Sequence, residues 1–488
     1  MKRLALSLVA VCAVGALVHG QAPAPQPQST KAVGTILKGR APVNKEILKV
    51  TLPRPQQADL SNGVHLIVLE DHRAPIVTLQ MIIEGAGGYY DPPATPGLAG
   101  FTAALMREGT ATKTSEQISE ELDRLAATVA AGAGISSPFA NVTGSGLSTN
   151  LDTVLALMAD VLMHPSFPQA EIDRYTARTR GALMQQRAQP SFLGQERLNK
   201  VVFGDHPSAR VGATPAALDA LTHDALVEFH KAHYVPDHAV LAISGDITIA
   251  QAQAKAETAF GAWAKTGAPL SKPANPAPLS GSSVSLVARP GSVQTTLLVG
   301  TQSIDRTNPD YDALTVANRI LGGPDARLFD HLREQKGYTY NIGSFFNSGR
   351  TVGSWIASTD FRTDVTESVL TDLLDEIRQM RDTPVPEKEL SDHERALVAG
   401  FARQLENANA VLGDFIDLYT YKLPADYWDR YPERIQAVTA ADVQRVAQKY
   451  WAADRLQIVA VGDAAKVEPT LKRLGAVQEF DADGKPIK

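Results

Sequence analysis

Three landmarks recur along this chain at nearly one offset, and that recurrence limits the fold to a duplicated unit. The strand-like run VTLQMIIEG ends at Gly85 and TTLLVG ends at Gly300, 215 positions later. Each is followed by a proline-bearing loop and an apolar helical pattern, GLAGFTAALMREG closing at Gly109 and YDALTVANRILGG passing Gly322, 213 positions apart. Late in each half, HYVPDHAVLAISGD and KYWAADRLQIVAVGD close on Gly245 and Gly462, 217 positions apart. One apolar strand can match by chance, but three landmarks in the same order argue for two copies of an α+β unit of about 215 residues. Between them Ala268 to Ser283, APLSKPANPAPLSGSS, has the Pro/Ser/Gly texture of a linker.

The 488 residues, 44% hydrophobic and 20% charged, supply enough apolar side chain for two or three cores. Residues 1–22 combine Lys2 and Arg3 with an apolar run from Leu4 to Val18 and small residues after it, the pattern of a secretory signal peptide. The run is too short for a spanning helix, which needs roughly 20 residues, and no later stretch is apolar enough. Residues 23–55, rich in Pro, Ala and Gln, read as an extended lead-in, with order expected from near Leu52. The remaining divisions are 56–267, the linker 268–283, and 284–480. The sole cysteine, Cys12, leaves with the signal, so the mature chain has no thiol for a disulfide or a metal. Net charge is −6, and −8 once Lys2 and Arg3 are removed, which recommends neither nucleic acid nor anionic lipid as a partner. A periplasmic or secreted protein is expected.

Val64 to Leu69 and Ile76 to Ile83 are β-branched runs separated by EDHRAP and read as an antiparallel pair. Thr114 and Gln117 form a capping box before Ile118, Leu122 and Leu125, whose spacing buries one helix face. Strands are expected over Thr128 to Ile135 and Phe139 to Leu147, then helices over Leu151 to Met163 and Gln169 to Arg187. Strands and helices fall in blocks, so the fold class is α+β: two homologous domains, each a mostly antiparallel sheet covered by helices.

LSNGVHLIVLEDHRAPIVTLQMIIEGAGG, PGLAGFTAALMREGT, FGDHPSARVGATPAAL and HYVPDHAVLAISGDI, followed in the second half by ILGGPDARLFDHLREQKGYTYNIGSFF, occur in the order and spacing of the pitrilysin-type (M16) zinc peptidases. The chain resembles that family from about Leu60 to Asp463. The resemblance implies an inverted zinc motif, H-x-x-E-H, at positions 100–104. Here those positions are Gly100, Phe101, Thr102, Ala103 and Ala104. Hydrogen and methyl groups have no lone pairs for a metal, so Gly100, Ala103 and Ala104 mark a degenerate zinc site. The family's third ligand, a glutamate some 75 to 80 residues on, falls within Arg178 to Gln186, RTRGALMQQ, which has no acid or histidine; Glu171 and Glu196 lie out of register.

Two other histidine patterns bear on a metal. His223, His230, His233 and His238 cluster in THDALVEFHKAHYVPDH, with His230 and His233 one turn apart on an expected helix. In the family such side chains face solvent. His393-Glu394 lacks the second histidine of a zincin motif, since Leu397 occupies that position. No metal is assigned to this chain.

By resemblance, Arg333 and Tyr340 in HLREQKGYTY stand at the spacing with which M16 enzymes present an arginine and a tyrosine to peptide in the catalytic chamber. A guanidinium and a phenol supply donors where negative charge develops during hydrolysis. Standing alone, Arg333 reads as a helix C-terminal cation and Tyr340 as a half-buried strand aromatic. Gly322 and Gly323 read as a tight turn needing positive φ before a helix starting near Asp325. The resemblance implies a non-catalytic subunit that pairs with a zinc-binding homologue carrying intact H-x-x-E-H. The two chains would enclose unfolded peptide, with the zinc in the partner and Arg333 and Tyr340 acting across the interface. Alternatives are a peptide-binding or scaffold protein of the same fold without proteolysis, and an active peptidase with a different metal site.

Overall fold

The computed structural model describes residues 49–267, 270–271 and 274–487. The expected signal peptide and most of the lead-in lie outside these residues. Leu52 is already buried, 2% exposed.

The first half contains strands β1 (Gln56–Asp59), β2 (His65–Glu70), β3 (Ile76–Glu84), β4 (Thr128–Ala133), β5 (Phe139–Leu147) and β6 (Ala239–Gly245). Its helices are α1 (Leu98–Met106), α2 (Ser115–Leu125), α3 (Leu151–Met163), α4 (Gln169–Arg187), α5 (Pro190–Phe203), α6 (Pro215–Asp219), α7 (His223–His233) and α8 (Ile249–Phe260). The second half contains β7 (Ser283–Ala288), β8 (Gln294–Gln302), β9 (Thr339–Phe346), β10 (Ser354–Arg362), β11 (Gln457–Gly462) and β12 (Val477–Phe480). Its helices are α9 (Tyr311–Gly322), α10 (Thr366–Asp382), α11 (Glu387–Gln404), α12 (Ala408–Tyr421), α13 (Tyr431–Gln436), α14 (Ala440–Tyr450) and α15 (Ala464–Leu471). None of the described helices is long and apolar enough to cross a membrane.

Two six-stranded sheets result, ordered β1-β2-β6-β3-β5-β4 and β12-β7-β11-β8-β10-β9. Both are mixed and predominantly antiparallel: β2 and β6 run parallel in the first, β7 runs parallel to β11 and to β12 in the second. The expected β2–β3 pairing does not form, because β6 inserts between them. The reason is visible in AVLAISG, seven buried residues in a row. A strand apolar on both faces gains most at a sheet centre, with neighbours on either side and helices above and below. β11, QIVAVG, repeats this arrangement with six buried residues. The capping box forms as expected: Thr114 Oγ1 accepts from the Gln117 amide and Gln117 Oε1 accepts from the Thr114 amide, while Ile118, Leu122 and Leu125 are buried.

The halves exchange a helix. α5 of the first half lies on the outer face of the second sheet, where Leu198, Val202 and Phe203 pack with Leu298, Ile356 and Val459. α12 of the second half lies on the outer face of the first sheet, where Val411, Leu412, Phe415 and Ile416 pack with Ile67, Leu69, Val240 and Ala242. Each buried aliphatic or aromatic side chain contributes about 1.5–3 kcal/mol, so the exchange ties the halves into one body.

Candidate functional site

α1 is the helix of the degenerate motif, and its frame is intact. Gly97 opens it in the left-handed region, φ 105°. The buried Asp91 carboxylate accepts from the amides of Gly97 (2.6 Å) and Ala99 (2.7 Å), satisfying donors that a helix start leaves bare. Burial raises the Asp91 pKa to about 6, with those amides and Arg210 opposing the shift. Phe101, Ala103, Leu105 and Met106 face the core, and Thr102 Oγ1 donates to the Leu98 carbonyl at 2.8 Å. Gly100 and Ala104 are partly exposed beside the edge strand β4. A Cβ at Gly100 would have its nearest contact, the Ala133 carbonyl oxygen, at 3.4 Å, so no steric demand explains the glycine.

The place of the third ligand is equally bare. On α4 the Tyr175 ring meets Phe101 edge-on at 5.9 Å, and the Arg178 guanidinium stands 5.5 Å from the Tyr175 ring centre. The flanking acids are engaged elsewhere, Glu171 with Arg174 and Glu196 with Arg187. Among the described residues no three His, Cys, Asp or Glu side chains converge as metal ligands would. A zinc ion therefore does not fit the side chains present at α1.

The histidines of α7 depart from expectation. His230 and His233 are half-buried rather than facing solvent. His230 bonds to the Leu162 carbonyl at 2.7 Å and stacks on Tyr234, whereas His233 bonds to the Gly85 carbonyl at 2.8 Å and stacks on Phe229. Burial lowers the pKa of both imidazoles. Their two bonds diverge to different elements, which is the geometry of packing rather than of a shared ion. His223 reaches Asp224 at the surface.

Arg333 and Tyr340 come together. Arg333 lies in a π-helical turn, Phe329–Gln335, whose wider spacing shows in the Lys336 amide donating to the His331 carbonyl. The turn is pinned by buried Leu332, by the His331–Glu376 contact at 2.8 Å, and just upstream by the bidentate Arg327–Glu389 pair at 2.7 and 2.8 Å. The Arg333 guanidinium is 4.7 Å from the Tyr340 ring centre and 4.5 Å from that of Phe329, a cation between two π-faces. Among the described residues, the carboxylate at ion-pair distance from it is that of Glu334, 3.4 Å away.

Tyr340 is not the half-buried aromatic expected of a lone strand tyrosine; it is 82% exposed. The β9–β10 ladder shifts register between Thr359 and Phe361, so the segment Tyr340–Asn341 bulges and the tyrosine turns outward. Hydroxyls hold the bulge: Thr359 Oγ1 bonds to Thr339 Oγ1 at 2.9 Å, and Thr339 Oγ1 reaches the Asp360 carbonyl at 2.7 Å. Neither the π-turn nor the bulge is visible in hydrophobic periodicity. The closely spaced threonines, Thr339 and Thr359 on facing strands, are the only local trace.

The glycine pair before this turn also works differently from expectation. Gly323 has φ −72°, Gly322 is the last helical residue of α9, and the positive φ falls on Asp325 at 53°. Gly322 is needed for close approach, since a Cβ there would collide with the Ser344 backbone and side chain on β9. A Cβ at Gly323 would strike Arg319, with its Cδ at 2.8 Å.

Comparison with known proteins agrees with this architecture. Residues 66–215 match the insulinase family (peptidase family M16), and residues 220–397 match the peptidase M16 inactive domain. An uncharacterized zinc protease of Rickettsia bellii is 27% identical over 66% of this chain and 77% of its own length. The uncharacterized zinc protease YmxG of Bacillus subtilis is 22% identical over 72% of this chain and 84% of its own. Among solved structures, a peptidase M16 inactive domain from Pseudomonas fluorescens superposes with a TM-score of 0.78 at 28% identity, covering 84% of this chain and 98% of that one. The periplasmic protease PqqL of Escherichia coli shares the fold, with a TM-score of 0.71 at 14% identity over 86% of this chain and 46% of its own. With M16 matches over residues 66–215 and 220–397 and two mixed sheets of matching strand order, the chain belongs to the M16 peptidase family.

Proposed function

We propose that this protein is a non-catalytic subunit of a two-chain M16 metallopeptidase, exported to the periplasm or secreted. It walls half of a chamber for unfolded peptide and lends Arg333 and Tyr340 to the active site of a catalytic partner. The observation that carries this reading is the outward presentation of a stacked guanidinium and phenol on the edge of the second sheet, in a chain whose own motif helix bears no ligand. A π-turn, a bulge and a hydroxyl clamp are devoted to holding that pair in place. Two donors held so can bond a peptide carbonyl and stabilise the charge that grows on it. In this reading zinc and the general base reside in the partner, on an intact H-x-x-E-H helix. The PqqL chain, of which this protein matches 46%, is long enough to hold two such units.

The test is reconstitution with a homologue carrying the intact motif, measuring assembly, zinc content and peptide cleavage together. Arg333→Ala and Tyr340→Phe are expected to slow turnover while the pair still forms. An unchanged rate removes the role in trans and leaves a binding or scaffold protein; chelator-sensitive cleavage by this chain alone overturns the reading.

A further inference from the structure

α5 shields β8 and β11 of the second sheet, touches β10 at Ile356, and ends at Phe203, short of β9. The uncovered ground forms a cleft of about 710 Å³ between the halves. Phe203, Phe345 and Ile356 give it apolar walls, and Asn199, Ser136 and Ser358 are among the many amides and hydroxyls that line it. Among the described residues no aspartate or glutamate lines the cleft, and Arg210 is the one cation that does. Arg210 makes no salt bridge among the described residues; its Nη atoms donate to the backbone carbonyls of Gly88 (2.5 Å) and Asp91 (3.3 Å). The Asp91 carboxylate nearby spends both oxygens on amides of α1. The Tyr89 hydroxyl, bonded to Ser208 at 2.7 Å and Thr351 at 3.1 Å, bridges the halves at the cleft wall.

β9 connects this cleft to the Arg333–Tyr340 pair. It is the outermost strand of its sheet, with one row of amides and carbonyls unpaired by any other strand. Tyr340 stands at its beginning, and Phe345, 62% exposed, stands near its end inside the cleft. They are five positions apart, roughly 15 Å of strand. A peptide added to β9 would pass Arg333 and Tyr340 at one end and enter the cleft at the other. Arg210 opposes the burial-driven rise of the nearby Asp91 pKa but, among the described residues, hydrogen-bonds only to neutral carbonyls. An arginine so held, in a cleft whose described lining has no acid, is a receptor for an anion, and on a peptide that anion is a carboxylate.

We propose that the Arg210 cleft seats a carboxylate of a peptide whose main chain pairs with β9. The assignment rests on the peptide-chamber reading above, and it adds the chemical class of group selected at a second point of the substrate. The carboxylate is either the C-terminus or an acidic side chain, and the experiment separates these sources.

Three fluorescein-labelled peptides of one unstructured Ser/Thr/Val sequence serve as probes: the free acid, its C-terminal amide, and the amide with one internal glutamate. Fluorescence anisotropy with the full mature chain, without any catalytic partner, reads their affinities. The free acid or the glutamate amide is expected to bind about tenfold tighter than the plain amide. Preference for the free acid alone identifies a C-terminal site, preference for the glutamate amide alone identifies a side-chain site, and preference for both over the plain amide identifies a site for either carboxylate. Arg210→Gln is expected to abolish the preference and Arg210→Lys to restore part of it. If Arg210→Gln fails to fold by circular dichroism, Ser136→Trp at the exposed cleft wall carries the test and must weaken the preferred probe several-fold. Equal binding of acid and amides, or a preference that survives in folded Arg210→Gln, overturns the proposal. Because no cleavage is measured, this outcome is independent of whether Arg333→Ala alters turnover in the pair.

Discussion

The edge strands β4 and β9 occupy the same position in two sheets of matching order, yet they carry opposite equipment. β4 reads TVAAGA, with small side chains beside a helix that presents Gly100 and Ala104. β9 reads TYNIGSFF, with two exposed aromatics and an arginine stacked against one of them. Duplication fixed the strand order and the helices that pack on it. Chemistry was then free to diverge at the edges, where side chains are not needed to hold the core. A frame kept without its metal ligands on one side, and a donor pair held by dedicated local geometry on the other, fits a division of labour between two chains.

The largest expected effect lies at β9. In a reconstituted pair, Arg333→Ala should lower kcat about 10²–10³-fold, the range for losing one donor to a developing oxyanion. KM should change far less, and stopped assays with a quenched peptide check both. A substitution at the β4 side, Ala104→Ser on α1, should leave kcat within a factor of about two. Equal losses from both edges would break the asymmetry.

The exchanged helices should behave alike. Leu198→Ala on α5 and Phe415→Ala on α12 each empty a buried contact with the opposite half, at a cost of about 2–5 kcal/mol. Denaturant unfolding should show one transition weakened in both variants. A variant that splits unfolding into two transitions would show that one exchange alone holds the halves.

Two glycines on the corresponding helices α1 and α9 should respond with opposite sign. Gly322→Ala meets Ser344 and should destabilise by about 1–3 kcal/mol. Gly100→Ala meets only the Ala133 carbonyl at 3.4 Å and should stabilise α1 by up to about 1 kcal/mol through helix propensity. Thermal unfolding of the two variants decides.

A smaller effect distinguishes α5 from α12. Glu196 on α5 pairs with Arg187 at 3.0 Å, whereas Asp414 on α12 is buried with Oδ2 unpartnered. Burial raises the Asp414 pKa to about 7, with Asp417 adding to the shift and Arg306 opposing it. The folded pKa lies above the ordinary value of 3.8. The native state therefore holds a proton that the unfolded chain releases, and this group's contribution to stability falls as pH rises from about 4 to about 7. Asp414→Asn should raise Tm at pH 8 by roughly 2–4 °C and leave it unchanged near pH 4. A gain of the same size at both pH values would assign the effect to packing instead.

Much of this architecture is legible before any coordinates. The repeat of Gly85, Gly245 and Gly109 at Gly300, Gly462 and Gly322 announces two units, because apolar runs and their closing glycines are what a duplicated core retains. The capping box at Thr114 is local chemistry and reads correctly. Strand order does not, since β2 and β3 look like a hairpin until β6, far downstream, claims the place between them. Long-range pairing is set by burial of both faces of β6, which no short window weighs against a nearby turn. The chemistry of Arg333 and Tyr340 is readable only through family resemblance. The π-turn and bulge that join them, and the cleft with Arg210, depend on register and on a helix contributed by the other half. Gly322 carries the same lesson: the sequence shows a glycine, and only packing shows that Ser344 is the reason.

On the proposed function, any hydrolysis in which this protein takes part draws on another chain's metal. Zinc analysis of the purified mature protein alone, and again after assembly with an H-x-x-E-H homologue, tests it most directly. The expected result is no stoichiometric zinc in the lone chain and one zinc per assembled pair, with peptide cleavage appearing only in the pair. One zinc per lone chain, with chelator-sensitive cleavage, would contradict it.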